Sequence, residues 1–146
     1  MRSIGEGEAF LLAHAEWEKT LPGTGTHILV IDDDESVRDS LKVLLSVHGY
    51  EVALAPDGRE GLAALRRKRF DLVVTDLLMP NVDGIETIRE IRKHDASLKI
   101  LAMSGGDSAT QFLHLPAAKA LGADEILKKP FDEDSLLAAI RRLTFL

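Results

Sequence analysis

Four groups of polar residues each follow a short apolar run. Asp32-Asp33-Asp34-Glu35 follows Ile28-Leu29-Val30-Ile31, and Thr75-Asp76 follows Leu72-Val73-Val74. Ser104-Gly105-Gly106 follows Ile100-Leu101-Ala102-Met103, and Lys128-Lys129-Pro130 follows Ile126-Leu127. Taken singly, each has an ordinary explanation. An aspartate run ahead of a helix provides an N-cap and dipole-favoured carboxylates, a role open to Asp34 or Ser36. Asp76 before Leu77-Leu78-Met79-Pro80 suits a turn, Ser104 before two glycines suits a loop, and a lone lysine is most often solvated. Their recurrence at successive strand ends reverses that balance, because ligands of an open parallel sheet bind outside the carboxyl ends of its strands.

The chemistry of such a cleft follows from its charges. Asp32, Asp33 and Asp76 brought together repel, each pair about 4 Å apart costing on the order of 4 kcal/mol at an effective dielectric of roughly 20. Lys129 offsets part of this and a hard divalent cation the rest. Carboxylates and backbone carbonyls, without His or Cys, suit Mg²⁺ with several retained waters. A carboxylate facing a divalent cation, an ammonium and a hydroxyl is arranged to receive a phosphoryl group. The cations draw off charge on the transferring oxygens, and Ser104 hydrogen-bonds one of them.

The elements that must position these groups are legible from periodicity. Besides the four runs above, Val52-Ala53-Leu54-Ala55 forms a fifth. Three of the five are apolar throughout, as strands buried on both faces are. Between them, Val37, Leu41, Leu44 and Leu45 share one helix face, Ile85, Ile88 and Ile91 another, and Leu136, Leu137, Ile140 and Leu143 a third. Segments around Leu62/Leu65 and from Pro116 to Leu121 supply two more. Gly49 after His48 and Gly122 after Leu121 mark helix ends. Asp83 with Glu86 resembles a capping box. Pro116 suits a first helical turn, which makes Gly105 to Leu115 a long loop. Five βα units in about 120 residues require parallel strands with right-handed crossovers, an α/β fold.

The 146 residues fit one domain, here residues 27–146, preceded by an extension over 1–26 that ends in the breaker-rich Leu21-Pro22-Gly23-Thr24-Gly25-Thr26. Within the extension, Phe10, Ala13, Trp17 and Leu21 recur at spacings of three and four, the pattern of a short amphipathic helix. Packing on its own domain is the simpler expectation for it. A partner or dimer contact is the alternative, favoured by the chain's one Trp lying on the stripe. The absence of cysteine excludes disulfides, thiolate metal sites and cysteine nucleophiles, and a reducing cytoplasmic setting is expected. With 18 Lys+Arg against 24 Asp+Glu, a net of −6, broad binding to nucleic acid is not expected. No apolar run reaches the roughly 20 residues of a membrane helix. The A-x-A at residues 13–15 follows acidic rather than basic residues, so it is not read as a signal peptide.

The segments ILVIDDDESV, DLVVTDLLMPNVDGIE, ILAMSGG and ILKKPF together resemble the receiver domain of two-component response regulators, over about residues 27–143. The resemblance implies a flavodoxin-like (βα)5 three-layer sandwich with strand order 2-1-3-4-5. It implies Asp76 as phosphoacceptor, Asp33 as direct Mg²⁺ ligand, Asp32 acting mostly through water, and the Leu78 carbonyl as a further ligand. It also implies Ser104 as the switch hydroxyl, Lys129 as the phosphate-binding lysine, and a cis bond between Lys129 and Pro130. A sensor histidine kinase or histidine phosphotransfer protein is the implied donor. The output is a downstream target or a missing output domain, since only Thr144-Phe145-Leu146 follow the last helix pattern, and a homodimer is possible. Such a domain catalyses only its own phosphorylation and dephosphorylation.

Three positions depart from the family pattern. Ile126 stands where an aromatic switch residue is common, and Leu78 and Gly106 flank the position of the attacking water. The loop after Ser104 looks longer than usual, and Gly105 and Gly106 make it the expected carrier of the conformational response. A rival reading takes Asp32 as nucleophile and Asp34 as general acid of a haloacid-dehalogenase-like phosphatase, but it leaves Asp76 and residues 79–84 without a role.

Overall fold

The computed structural model describes residues 23–77, 84–105, 116 and 118–145, and in it each apolar run is a strand. The strands are β1 (His27–Ile31), β2 (Glu51–Ala55), β3 (Leu72–Asp76), β4 (Lys99–Ser104) and β5 (Glu125–Lys128). They are joined through α1 (Glu35–Val47), α2 (Gly58–Arg67), α3 (Gly84–His94) and the helical residues 118–121, and α4 (Glu133–Thr144) closes the order. The sheet runs β2-β1-β3-β4-β5 with every neighbouring pair parallel, the expected order. The expected helix of residues 10–21, the Asp83 cap, the loop over 106–115 and the Leu78 carbonyl lie outside the described residues.

Alternation along the buried strands makes the three layers. Leu29, Ile31, Val73, Ile100 and Ala102 face a core shared with Leu65, Ile88, Ile91 and Ala118 from α2, α3 and residues 118–121. Ile28, Val30, Leu72, Val74, Leu101 and Met103 face the opposite core, filled by Leu41 and Leu45 of α1 and Leu136, Leu137 and Ile140 of α4. The helix faces anticipated from spacing within residues 27–146 are thus sides of this sandwich.

The helices start where short acidic side chains satisfy free amides. Asp34 accepts from the Ser36 and Val37 N–H groups, Asp57 from Glu60, and Asp132 from Ser135. Of the two candidates for the first cap, Asp34 is the one used. Past α1 and past residue 121 the chain turns through Gly49 at φ 90° and Gly122 at φ 116°, a region costly for any residue with a Cβ.

Strand register aligns the rim that matters. Ile31 pairs with Thr75, so Asp32 and Asp76, one residue further along each strand, are neighbours. Asp76 pairs with Met103 and Ser104 with Lys128, and the Lys129 N–H donates to the Ser104 carbonyl at 2.6 Å. Asp76 and Ser104 are the last residues of their strands, buried rather than in loops.

The start of α3 is pressed against this rim. The Gly84 N–H donates to the Leu77 carbonyl at 3.0 Å. A Cβ on Gly84 would lie 2.3 Å from the Asp76 carbonyl oxygen and 2.4 Å from the Leu77 Cα, contacts to backbone that cannot swing away. Gly84→Ala is therefore expected to cost about 1–3 kcal/mol of stability, the range for an overpacked methyl, measurable as a lowered urea midpoint. An unchanged midpoint would show that α3 shifts without penalty.

Candidate functional site

Three of the predicted acids converge. Carboxylate oxygens of Asp32, Asp33 and Asp76 lie within 4.8 Å of one another, from the end of β1 and the end of β3. Asp32 is fully buried and Asp76 nearly so, while Asp33 is exposed at the mouth. Lys129 reaches in from beyond β5, its Nζ 3.2 Å from Asp76 Oδ2 and 3.5 Å from Asp32 Oδ2. Ser104, 2% exposed, stands on the same rim beside them, and its hydroxyl has no hydrogen-bond partner among the described residues. Lys129 precedes Pro130 across a cis peptide, as the resemblance implied.

Local structure explains why Asp32 is the buried acid of its run. Its Oδ1 accepts the Asp34 N–H at 2.9 Å, and its carbonyl accepts from Arg38 Nη1 at 2.7 Å. Its Oδ2 accepts no hydrogen bond from the described residues although it is buried, leaving the lysine ammonium as its compensation. A buried oxygen in that state, within reach of two further carboxylates, is a ligand atom in want of a cation. The donor set is hard oxygen throughout, so these residues fit Mg²⁺ better than a soft metal.

The charge states follow. Burial raises the Asp32 carboxyl above its ordinary range, and Asp76 and Asp33 add to the rise; the Asp34 N–H and Lys129 oppose it without cancelling it. Burial pulls the Lys129 ammonium down, but Asp76 and Asp32 together outweigh that and raise it, so it stays charged at neutral pH.

The raised acid has a consequence for the metal-free protein. Below the unfolded carboxylate value near ~3.9 both states hold the Asp32 proton. As pH climbs through that value and then through the raised folded value, the unfolded chain releases its proton first, and stability falls. Asp32→Asn keeps the Oδ1 acceptor and abolishes the titration. Urea titrations without Mg²⁺ are expected to show the variant gaining on the native protein from about pH 4 toward neutrality. A gap that narrows with pH would refute this assignment of the charge.

Two positioning residues were not assigned from sequence. Arg38, one turn into α1, fastens the Asp32 carbonyl. Gly84 lets α3 close against Asp76. The first was hidden because only the folded turn brings position 38 to position 32. The second lies in the 79–84 run but was given no part. Gly105 lies along Lys129: a Cβ there would be 3.0 Å from the lysine Cδ. Ile126 packs against the α2–α3 core, so no aromatic ring occupies that position. Asp34, the general acid of the phosphatase reading, is spent as the cap of α1.

A family model, the response regulator receiver domain, matches residues 28–141. The chain belongs to the response regulator receiver family. Receivers are the phosphoacceptors of two-component signalling, and the phosphatase alternative finds no support. This receiver is 45% identical over 116 residues to the response regulator MprA of Mycolicibacterium vanbaalenii, an alignment covering 80% of this chain and 49% of that protein. The chain spans about half the length of the curated relatives it matches. It is similar in structure to a receiver domain protein of Clostridium thermocellum, with a TM-score of 0.76 and 31% identity over 82% of this chain and 94% of that one. It is likewise similar to the chemotaxis protein CheY4 of Vibrio cholerae, with a TM-score of 0.73 and 33% identity over 81% of this receiver and 98% of that chain. No helix among the described residues is long and apolar enough to cross a membrane.

Proposed function

We propose that Asp76 is the residue of this receiver that accepts the phosphoryl group. The observation that carries the reading is the placement of its buried carboxylate, 3.2 Å from the Lys129 ammonium and clustered with Asp32 and Asp33. The donor is a phosphohistidine on a sensor kinase or phosphotransfer protein. The Asp76 carboxylate oxygen bonds to phosphorus as the P–N bond to the imidazole breaks, giving an acyl phosphate. Hydrolysis later returns the carboxylate and inorganic phosphate, so self-modification is the whole of the catalysis.

Asp33, Asp32, Asp76 and the Leu78 carbonyl are the residues that would hold Mg²⁺, whose charge neutralises the transferring oxygens. Lys129 is already at the acceptor and supplies a fixed cation to the dianion that forms. The Ser104 hydroxyl, unpartnered before transfer, gains an acceptor once a phosphoryl oxygen arrives. That new bond, with the shift of Lys129 it draws, is the local event that biases the strand-four and strand-five side of the domain. Ile126 makes this response independent of an aromatic swing and leaves it to the segment that follows Ser104.

The signal passes to a downstream target or an attached output domain in the cytoplasm, with a homodimer possible and no direct nucleic-acid contact by this domain. The test is incubation with a small phosphodonor and Mg²⁺, followed by mass spectrometric mapping of the modified residue. Label on Asp76 that requires Mg²⁺ supports the reading. Label on Asp32 with steady release of phosphate, or no label at all, overturns it.

A further inference from the structure

At the amino ends of β3 and β4, on the rim opposite Asp76, the ends of α2 and α3 border a concavity of about 290 Å³. It is lined by Arg66, Arg67, Lys68 and Arg69, together with His94 at the end of α3. Its apolar members, Leu65, Phe70 and Leu98, are buried, and the four cations are exposed. We propose that this concavity binds the oligophosphate group of a small molecule, two or three linked phosphates held by the basic run.

Four consecutive residues line one hollow because the backbone changes course among them. On a helix, successive side chains diverge by about 100°. α2 ends at Arg67, and Lys68 is extended, at φ −147° and ψ 149°, so the run leaves the helix halfway and follows the concavity. Helix ends favour cations, but only within the last turn, where Arg66 and Arg67 already stand. The end of α3 shows that ordinary use: Arg92 is paired with Asp124 at 2.9 Å and Lys93 with Glu90 at 3.1 Å. The basic run differs. Among the described residues, Arg66, Arg67 and Arg69 make no side-chain hydrogen bond or ion pair, and Lys68 reaches only the Phe70 ring, its Nζ 5.8 Å from the centroid. The chain has 24 acidic side chains for 18 basic ones, so scarcity of carboxylates does not explain why these four have none.

Charge and size select the ligand. The acid on the same lining, Asp95, is held in its own turn, where its Oδ1 accepts the Ser97 N–H and the Ser97 hydroxyl, each at 2.8 Å. Four cations against that one carboxylate leave a net of about +3 with His94 neutral. One terminal phosphate brings a charge of about −2 at most, so two or three linked phosphates match the excess and a single one does not. Three of the four cations are arginines, whose planar forks grip phosphate oxygens in pairs. The volume stands at the lower end for small-molecule sites, about 300 Å³, which suits a compact charged group better than a length of peptide or nucleic acid. The Phe70 ring is buried with Lys68 over it, so it offers no face to a base, and recognition is of the phosphates.

Calorimetric titration of the intact chain with inorganic triphosphate, at low salt and without Mg²⁺, is expected to show a single site. Arg66→Gln with Arg69→Gln, at exposed positions that leave the circular dichroism unchanged, weakens binding at least tenfold. Lys42→Gln with Arg59→Gln removes the same charge from exposed positions on α1 and at the start of α2, and leaves the affinity within about twofold. Amide chemical shifts move on titration in residues 65–70 and 94–98 and not around Lys129. No saturable binding, equal weakening in the two double variants, or shifts centred on Lys129 overturns the proposal. Adenosine triphosphate is the second probe. Its binding at the same residues assigns the phosphates to a nucleotide tail, its failure beside a bound triphosphate assigns them to free oligophosphate, and either result supports the proposal. A hexaglutamate peptide that binds more tightly than triphosphate overturns it and assigns the concavity to an acidic protein partner.

Discussion

Asp76→Asn is expected to lower phosphorylation by a small phosphodonor at least hundredfold while leaving the fold intact. The amide is nearly isosteric but its oxygen is no nucleophile, so no covalent bond to phosphorus forms. Structure survives because the substitution removes one of three crowded negative charges, and Lys129 keeps Asp32 as a partner at 3.5 Å. Thermal melting at or above that of the native protein, together with lost label, separates chemistry from folding. Lys129→Ala and Ser104→Ala should retain the acceptor yet slow the transfer. For the lysine, loss of one preorganised donor to developing charge is worth about 10²–10³ in rate. Undiminished label in Asp76→Asn would place the acceptor elsewhere.

Mg²⁺ is expected to stabilise the native protein strongly and Asp33→Ala hardly at all. In the absence of metal the folded state confines Asp32, Asp33 and Asp76 together, with one ammonium to offset them. A ligand that binds only that arrangement stabilises it by about 2.7 kcal/mol at a hundred times its dissociation constant. For a domain of this size that is a rise in the melting midpoint on the order of 5–10 °C. Asp33 is the exposed member of the cluster, so Asp33→Ala removes a ligand without opening a cavity and the fold without metal is unharmed. Differential scanning calorimetry with and without Mg²⁺ reads both quantities. An equal rise in the variant would show that the ion binds outside the cluster.

Lys129→Met tests the same electrostatics from the other side. It deletes the cation that holds Asp76 and Asp32 together, so the protein without metal should melt lower and its dependence on Mg²⁺ should deepen. The phosphoryl-transfer defect persists even at saturating metal, since the ion does not replace an ammonium already placed at the acceptor.

The five strands, the two helical layers and the identity of the rim residues were legible because they rest on local properties. Parallel strands buried on both faces read as continuous apolar runs, as Ile28–Ile31 of β1 and Leu72–Val74 of β3 do, and a helix against such a sheet must repeat its apolar residues near 3.6, as Leu41 and Leu45 or Ile88 and Ile91 do. Gly49 and Gly122 stood where positive φ was needed. The order of the strands and the roles of Asp76 and Lys129 came from resemblance, for no local pattern reports which strand lies beside which.

What tertiary structure alone decided was the division of labour within the acidic and basic runs. Asp32, Asp33 and Asp34 are chemically identical, yet one is buried at the cluster, one stands at its mouth and one caps α1. Lys128 and Lys129 are adjacent, yet only the second spans the rim to Asp76. The close approach that forbids a Cβ at Gly84 and the hold of Arg38 on the Asp32 carbonyl belong to the same category. Composition and periodicity determined which groups the rim would carry, because burial and helical repeat act over a few residues. Which oxygen meets which nitrogen depends on register between strands more than forty residues apart in sequence, and that is set only when the layers pack.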